Sequence, residues 1–464
     1  GVVSYEWHRD NNPIRQNYLI NNSGGTVTSM QRPEHIVFSS DGNHTYVAVS
    51  SSDTVVCFER NSTTGALTQK STIRDGVQGV DGLKGASCVT LSTDGNFAYV
   101  TGETDDSISW FSRNLETGAL TYLGSIYDPE ADGLDSPQKI ALSADNNFAY
   151  VTADGDNSVS WFSRDGVSGA LTYVATLKDG VGGADGLEGA KCITFSSDGN
   201  FAYITGYHEH TISWFSRDAA TGALTYVGKI TDGDNAGSVD GLMYPVDVIL
   251  SPSGNHAFVT SLQDDAVSWF SRNSGTGALT YAGMVKDGVS GAEGLDGAYG
   301  INISADGNFL YVTGQYNDSI AMYDCNVSTG ALSFSDWFYD GYGGTMGGLD
   351  GAQMVLLSPG DSQIYVLGWE DNSVSWYDRN SSTGALTFGG LAKNGDGAVD
   401  GLDGALEVII SADGNHAYVT GYIDDAVSWY ERNASTGALT YAGILRDGVG
   451  GVDGLDKARS VTLS

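Results

Sequence analysis

The sequence holds little proline, little cysteine and little positive charge. Its 7 prolines stand against 64 glycines, so chain reversals must come from the glycine, aspartate and asparagine turns that join short strands. Four cysteines, Cys57, Cys88, Cys192 and Cys325, lie far apart with no CxxC spacing. That excludes a zinc cluster and a disulfide framework, and predicts free thiols. Basic residues number 22 against 57 acidic ones, a formal net charge of −35. Such a surface repels phosphate backbones and anionic lipid, so nucleic-acid and membrane-surface partners are not expected. No run of 18 apolar residues is present, so no helical membrane insertion is expected. The chain opens at Gly1 without methionine or signal peptide, which reads as a processed form or a fragment. What is there, 41% hydrophobic and 11% aromatic residues, suffices for a packed core.

The organising feature is a repeat. Gly-Ala-Leu recurs with its glycine at 65, 118, 169, 222, 277, 330, 384 and 437, a period near fifty that marks a solenoid or propeller. In the copy 405–457, Ala405 to Ser411 is one short apolar strand, and Asp413-Gly414-Asn415 is a hairpin turn. His416 to Gly421, Ala426 to Arg432 and Ala438 to Ile444 supply three more strands, and the glycine-rich Asp447 to Asp456 crosses to the next copy. Four strands per unit and no helical pattern predict an all-β fold, a β-propeller of four-stranded antiparallel blades, because radial stacking buries both faces of each sheet. Tryptophans 110, 161, 214, 269, 376 and 429 share one repeat position and predict a blade-to-blade packing layer. Arginines 60, 113, 164, 217, 272, 379 and 432 share another, with turn carboxylates as their expected partners. Cys57 replaces the tryptophan in one copy, and Cys325 replaces the arginine in another.

The expected layout is a single propeller domain with eight full repeats over 33–457 and a partial ninth formed from the two termini. Residues 1–32 read as a degenerate partial blade of third and fourth strands, and 458–464 as the first strand of the closing blade. Joining the ends would lack a second strand. The chain is then a segment of something longer, a ring of eight with both ends outside it, or a subunit completed head-to-tail by its neighbour.

Leu250-Ser-Pro-Ser-Gly-Asn-His-Ala-Phe-Val-Thr260, Asp265-Ala-Val-Ser-Trp-Phe-Ser-Arg272 and Thr276-Gly-Ala-Leu-Thr-Tyr281 resemble the lactonase-like, YVTN-type (6-phosphogluconolactonase-like) β-propeller proteins. The Tyr-Val-Thr element itself stands at residues 99–101, 150–152, 311–313 and 418–420. The resemblance covers nearly the whole chain and implies the propeller architecture. It also implies a histidine near the start of an inner strand in enzymatic members, matched here by His35 alone; the other copies carry Cys88, Lys139, Cys192, Asp247, Gly300, Met354 and Glu407 there.

These differences mark one place for chemistry. His35, Lys139, Asp247 and Glu407 would meet at the channel mouth, as base, cation and carboxylates for ester or lactone hydrolysis. A second place is the crossover loop, where Asp75 with Asp81, Asp179 with Asp185, and Asp447 with Asp453 offer hard oxygen ligands to calcium. Related pairs are Asp128 with Asp132, Asp232 with Asp240, and Asp287 with Glu293. No other cofactor is implied. His208-Glu209-His210 reads as a solvated turn. Glycosylation sequons stand at Asn21, Asn43, Asn61, Asn302, Asn317, Asn326, Asn380 and Asn433. Near-identity among copies favours repeated contacts over a reaction centre. The expected function is therefore a non-enzymatic extracellular or cell-surface propeller, structural, adhesive or filament-forming, with itself, other surface proteins or glycans as partners. The alternative is a lactonase-like hydrolase at the channel mouth.

Overall fold

The computed structural model describes residues 36–128, 130–344, 346–450, 452, 455 and 462–463, with two short paired strands, His8–Arg9 and Asn12–Pro13. The chain divides into two units, 1–32 and 33–464. The first shows this hairpin among its described residues.

In the second unit each repeat folds into its own antiparallel sheet, with strands in chain order. The eight blades span 36–74, 86–127, 137–178, 190–231, 245–286, 298–339, 352–393 and 405–446. The expected all-β propeller is the observed fold. Among the described residues the only helical turns are Asp234–Gly237 and Tyr342–Gly344, both in crossover loops. Every second strand is buried along its whole length, as in His416–Gly421, because it lies mid-sheet with a blade on either side. Outermost strands such as Leu439–Arg446 alternate in exposure.

The core is therefore eight separate clusters, one at each joint between blades. The tryptophans form the expected packing layer; Trp110, for one, packs against Leu134 and Ile140 of the next blade. The outer strand makes room for the indole. Gly124, Gly228, Gly283, Gly390 and Gly443 each pair with the tryptophan of their blade, and a Cβ on Gly443 would stand 2.3 Å from Trp429. Where Cys57 and Met322 replace the tryptophan, Ser71 and Asp336 replace the glycine.

The joints are also tied by polar bonds. The arginines differ from expectation in their chief partner, which is a tyrosine hydroxyl of the preceding blade. Arg113 Nε donates to Tyr46 (2.5 Å), Arg217 to Tyr150 (2.5 Å) and Arg432 to Tyr365 (2.6 Å). Each tyrosine in turn donates to the glycine carbonyl of Gly-Ala-Leu, as Tyr150 does to Gly222 at 2.8 Å. Among the described residues carboxylates join at close range at Arg60–Asp413 and Arg217–Asp145, both 2.9 Å, and more loosely at Arg164–Asp94 (3.7 Å) and Arg113–Asp41 (3.9 Å). The glycine of Gly-Ala-Leu is required twice over. Its φ is positive, and its Cα lies against the preceding blade, so that a Cβ on Gly169 would meet Phe97 at 2.1 Å.

At the joint of blades 5 and 6 both partners are replaced together. Phe258 stands where the tyrosine would be and Cys325 where the arginine would be, in one apolar cluster. Cys325→Arg alone would bury a guanidinium without its hydroxyl, and should destabilise by about 1–3 kcal/mol. Adding Phe258→Tyr should recover most of that loss in a thermal-unfolding double-mutant cycle.

Ring closure needs no blade between the last and the first. Val47, Val56 and Phe58 of blade 1 pack on Ile409, Tyr418 and Trp429 of blade 8. At the centre, the strand Thr462–Leu463 pairs in parallel with Ile36–Phe38 and touches Ala405–Ile410. The rest of the expected partial blade, His8–Arg9 and Asn12–Pro13 apart, lies outside the described residues.

Each turn between second and third strands ends on a residue with left-handed φ, among them Asp106, Asn157, Asp265, Asp318 and Asn372. In these five a side-chain oxygen accepts a backbone N–H at the start of the next blade, 2.9 Å for Asp318 with Gly351 and 3.0 Å for Asp265 with Gly297. Short polar side chains tolerate this φ and cap locally. Burial, with Asp350 and Glu370 nearby, pushes Asp318 up to about 7. Burial, with Asp296 and Asp287, pushes Asp265 up to about 6. A carboxyl whose folded pKa exceeds its unfolded value binds more protons folded than unfolded, so these groups favour the fold at low pH. Their contribution falls as pH rises from about 4 through 6 and 7. The melting temperature should be higher at pH 5 than at pH 8, and Asp318→Asn should flatten that difference.

Candidate functional site at the channel mouth

The innermost strands touch one another around the ring, and their third residues lie at its centre, partly exposed at Lys139, Asp247, Gly300, Met354 and Glu407 and buried at Cys88 and Cys192. The threonine of the second strand, in Tyr-Val-Thr or its variants Tyr-Ile-Thr and Phe-Val-Thr, sets their spacing. Thr101, Thr205, Thr313 and Thr420 accept the backbone N–H of Cys88 (3.0 Å), Cys192 (3.1 Å), Gly300 (2.9 Å) and Glu407 (3.2 Å). Thr152, Thr260 and Thr313 donate onward to the next blade's inner strand at Lys191, Tyr299 and Gln353 (3.1, 2.8 and 3.2 Å). Neighbouring third residues are thereby held at fixed offsets.

Three consecutive blades bring unlike groups together. Cys192 Sγ donates to Asp247 Oδ1 at 3.2 Å, and the charge of Lys139 acts on the same thiol. Burial pushes the Cys192 thiol up to about 12, with Asp247 adding to the rise and Lys139 opposing it. The thiol is thus a hydrogen-bond donor at neutral pH rather than a nucleophile. Asp247 Oδ1 also accepts its neighbour's N–H from Val248 at 2.8 Å. A carboxylate held at one oxygen can activate water, and an ammonium whose charge reaches the site can balance a developing oxyanion. Of the predicted group, Asp247 bonds to Cys192 and the charge of Lys139 reaches the same thiol, while Glu407 lies three blades from either. His35 lies outside the described residues. Cys192 is the member that sequence reasoning left out; the signal was its place at the same variable position between Lys139 and Asp247.

The crossover loops approach the same face. Asp75 and Asp81 meet Asp105, Asp179 and Asp185 meet Glu209, Asp128 and Asp132 meet Asp156, and Asp232 and Asp240 meet Asp264, with carboxylate oxygens inside 4.8 Å in each group. The third acid, from the turn between second and third strands, was not among the expected pairs. An ammonium attends every group: Lys84 on Asp105 (3.0 Å), Lys178 on Asp132 and Asp156 (both 2.6 Å), Lys229 on Asp185 (2.9 Å) and Glu209, and Lys286 on Asp264 (3.0 Å). The first acid of the loop also fastens it, as Asp75 does by accepting from Leu83 N (3.1 Å) and Asp447 from Leu455 N (2.7 Å). Asp453 lies outside the described residues. His208 turns to Asp154 (3.5 Å) and His210 accepts from Tyr244 N (3.1 Å), so the two histidines share no ligand.

Asn61, Asn326, Asn380 and Asn433 are exposed, and each caps its turn through the side-chain carbonyl, as Asn433 does with Ser435 N (3.0 Å) and Thr436 N (3.2 Å). Asp165 and Asp218 do the same in their blades. The position needs an acceptor oxygen, which explains the asparagine without a glycan. Asn43 is exposed; Asn302 accepts from Ile303 N (2.9 Å) and Asn317 from Asp296 N. Asn21 lies outside the described residues.

Residues 14–178, 132–290 and 245–391 match the family described as Lactonase, 7-bladed beta-propeller. An uncharacterized protein of Staphylococcus epidermidis is 32% identical over 38% of this chain, which spans 47% of that relative, about half its length. A 6-phosphogluconolactonase of Sodalis glossinidius is 26% identical, over 62% of this chain and 80% of its own. A solved structure of a putative 6-phosphogluconolactonase from Bacteroides uniformis has TM-score 0.55 at 20% identity, covering 74% of this chain and 94% of its own. The periplasmic gluconolactonase of Pseudomonas aeruginosa has TM-score 0.54 at 16% identity, covering 75% and 96%. These structures share the fold.

The comparisons overturn the expected non-enzymatic, structural, adhesive or filament-forming function, and with it the cell-surface glycoprotein description. The inference failed for a physical reason. The near-identity lies at the tyrosine, arginine, tryptophan and glycine positions that join blades, whereas the third inner-strand residue varies among the copies and supplies the asymmetry that a reaction centre needs. This chain belongs to the lactonase, 7-bladed β-propeller family, here with eight blades.

Proposed function

We propose that the protein is a lactone hydrolase working at the channel mouth, with relatives named 6-phosphogluconolactonase pointing to sugar lactones as the substrate class. The observation that carries this reading is the Cys192–Asp247 hydrogen bond between blades 4 and 5, with the charge of Lys139 in blade 3 acting on the same thiol. Asp247 takes a proton from water as its oxygen attacks the lactone carbonyl. Lys139 balances the negative oxygen of the tetrahedral intermediate. The ring C–O bond then breaks, and the leaving alkoxide takes the proton held by Asp247. Cys192 keeps the carboxylate oriented through its S–H bond.

The test is turnover of a panel of five- and six-membered sugar lactones above the buffer rate. Lys139→Met should lower kcat/KM by about 10²–10³-fold, as for loss of one oxyanion-stabilising group. A protein that opens none of the lactones faster than buffer would sink the reading, and His35→Ala in the same panel shows whether that histidine takes part.

A further inference from the structure

Blade 6 departs from its siblings at the rim, and the siblings show what is missing there. In blades 3, 4, 5, 7 and 8 the outer strand sends a cation back to the acids of the crossover loop and turn: Lys178, Lys229, Lys286, Lys393 and Arg446. In blade 2, Lys84 of the loop takes that part. Blade 6 keeps acids at the loop positions, Asp287 and Glu293, with Asn317 in place of the turn acid, but Trp337 stands at the position of Lys229 and Tyr339 at that of Lys286. Among the described residues no cation reaches these acids, and Glu293 is exposed with no ion pair or hydrogen bond.

The replacement is local. A Cβ on Gly186 would stand 3.1 Å from Lys229 Cδ, and a Cβ on the matching Gly294 would stand 2.9 Å from Trp337 Cε3. The indole therefore lies where a lysine stem runs in blade 4. Tyr339 stacks on it with centroids 4.7 Å apart, and Tyr342 of the next loop meets Tyr339 edge-on at 5.3 Å. Both tyrosines are 37% exposed.

We propose that this rim is a docking site for an ammonium group on a flexible stem, the form in which a lysine side chain of a basic peptide presents it. The ammonium seats against the Glu293 and Asp287 carboxylates, and its stem and charge lie along the exposed aromatic rings. Ring faces and carboxylates attract the same charge. The repeat identifies the ligand class, because equivalent acids in six other blades hold an ammonium or guanidinium of the chain itself. The net charge of −35 draws cations to the surface in general, so specificity must come from this vacancy.

The experiment is calorimetric titration of the full chain with a blocked trilysine peptide at physiological salt. Tyr339→Lys supplies the ammonium that blade 5 carries, and should fill the site from within. Saturable one-site binding by the wild type is expected, weakened at least about ten-fold in Tyr339→Lys with no loss of melting temperature, and several-fold in Glu293→Gln. Equal binding by wild type and both variants would mean diffuse charge attraction and overturn the proposal. So would an absence of saturation, or binding of a neutral oligosaccharide in place of the peptide. If Tyr339→Lys does not fold, Glu293→Gln, a change at an exposed loop residue, decides alone.

Discussion

Asp247→Asn is expected to lower kcat by about 10²–10⁴-fold on the best lactone of the panel, the range for a positioned general base. The substitution keeps an oxygen that can accept from Cys192 Sγ and from Val248 N, the two donors now on Oδ1. It removes the charge that takes the proton. Packing is unchanged, so the melting temperature should stay close to that of the wild type, and the loss should appear in kcat more than in KM. Cys192→Ala separates positioning from chemistry. The thiol stays protonated across the working range because burial pushes it up to about 12, so its removal costs one hydrogen bond to a charged acceptor, about 1.5–3 kcal/mol at most. A milder fall is expected there, with the alkaline limb of the pH–rate profile unmoved. A nucleophilic thiolate would instead lose all turnover. Should Asp247→Asn keep full activity, the base lies elsewhere, and Glu407→Gln is the next comparison because Glu407 holds the same inner-strand position on the other side of the ring.

Most of the scaffold was legible in the sequence, because period, turn residues and strand length are local. The tryptophan layer was readable for the same reason: one position, repeated. The arginines were read half correctly. Their shared position showed a shared role, but a tyrosine 65–69 residues earlier as partner follows only once the blades are stacked. The same stacking turns Phe258 and Cys325, two unrelated-looking departures in different copies, into one coupled change at one joint. At the site, Lys139 and Asp247 were singled out because their position varies. Cys192 was not among the candidates because a cysteine without CxxC spacing read as a free thiol. Its meaning depends on which blade stands next, so Cys88 and Cys192 are alike in sequence and unlike in surroundings: Cys88 packs on Ile140 and Phe97, and Cys192 donates to a carboxylate.

Arg60 closes the ring, and Arg60→Met is expected to be the most damaging single change at any joint. Its Nε donates to Tyr418 (2.7 Å), its Nη1 to Gly42 O (3.2 Å) and its Nη2 to Asp413 (2.9 Å), all while buried. Asp413 registers the pair. Burial works against its charge, yet Ser411 and Arg60 hold it down to about 2. Arg60 is buried and Asp413 is exposed, so the loss is that of the arginine's charged hydrogen bonds to Tyr418 and Gly42, about 1.5–3 kcal/mol each at most. Arg379→Met, at the joint of blades 6 and 7, should cost less. Arg379 Nη2 has no bonded partner among the described residues, and a continuous crossover joins those blades. Blades 1 and 8 have no such short connection, so their contact must hold against the loop-closure entropy of the whole ring. Arg60→Met should therefore open this joint before the others, with early amide exchange at Val47, Val49, Tyr418 and Val427, whose side chains meet in the closing cluster. Exchange that rises evenly in all eight blades would mean that closure depends on the apolar faces alone, and that the arginine only adjusts their register.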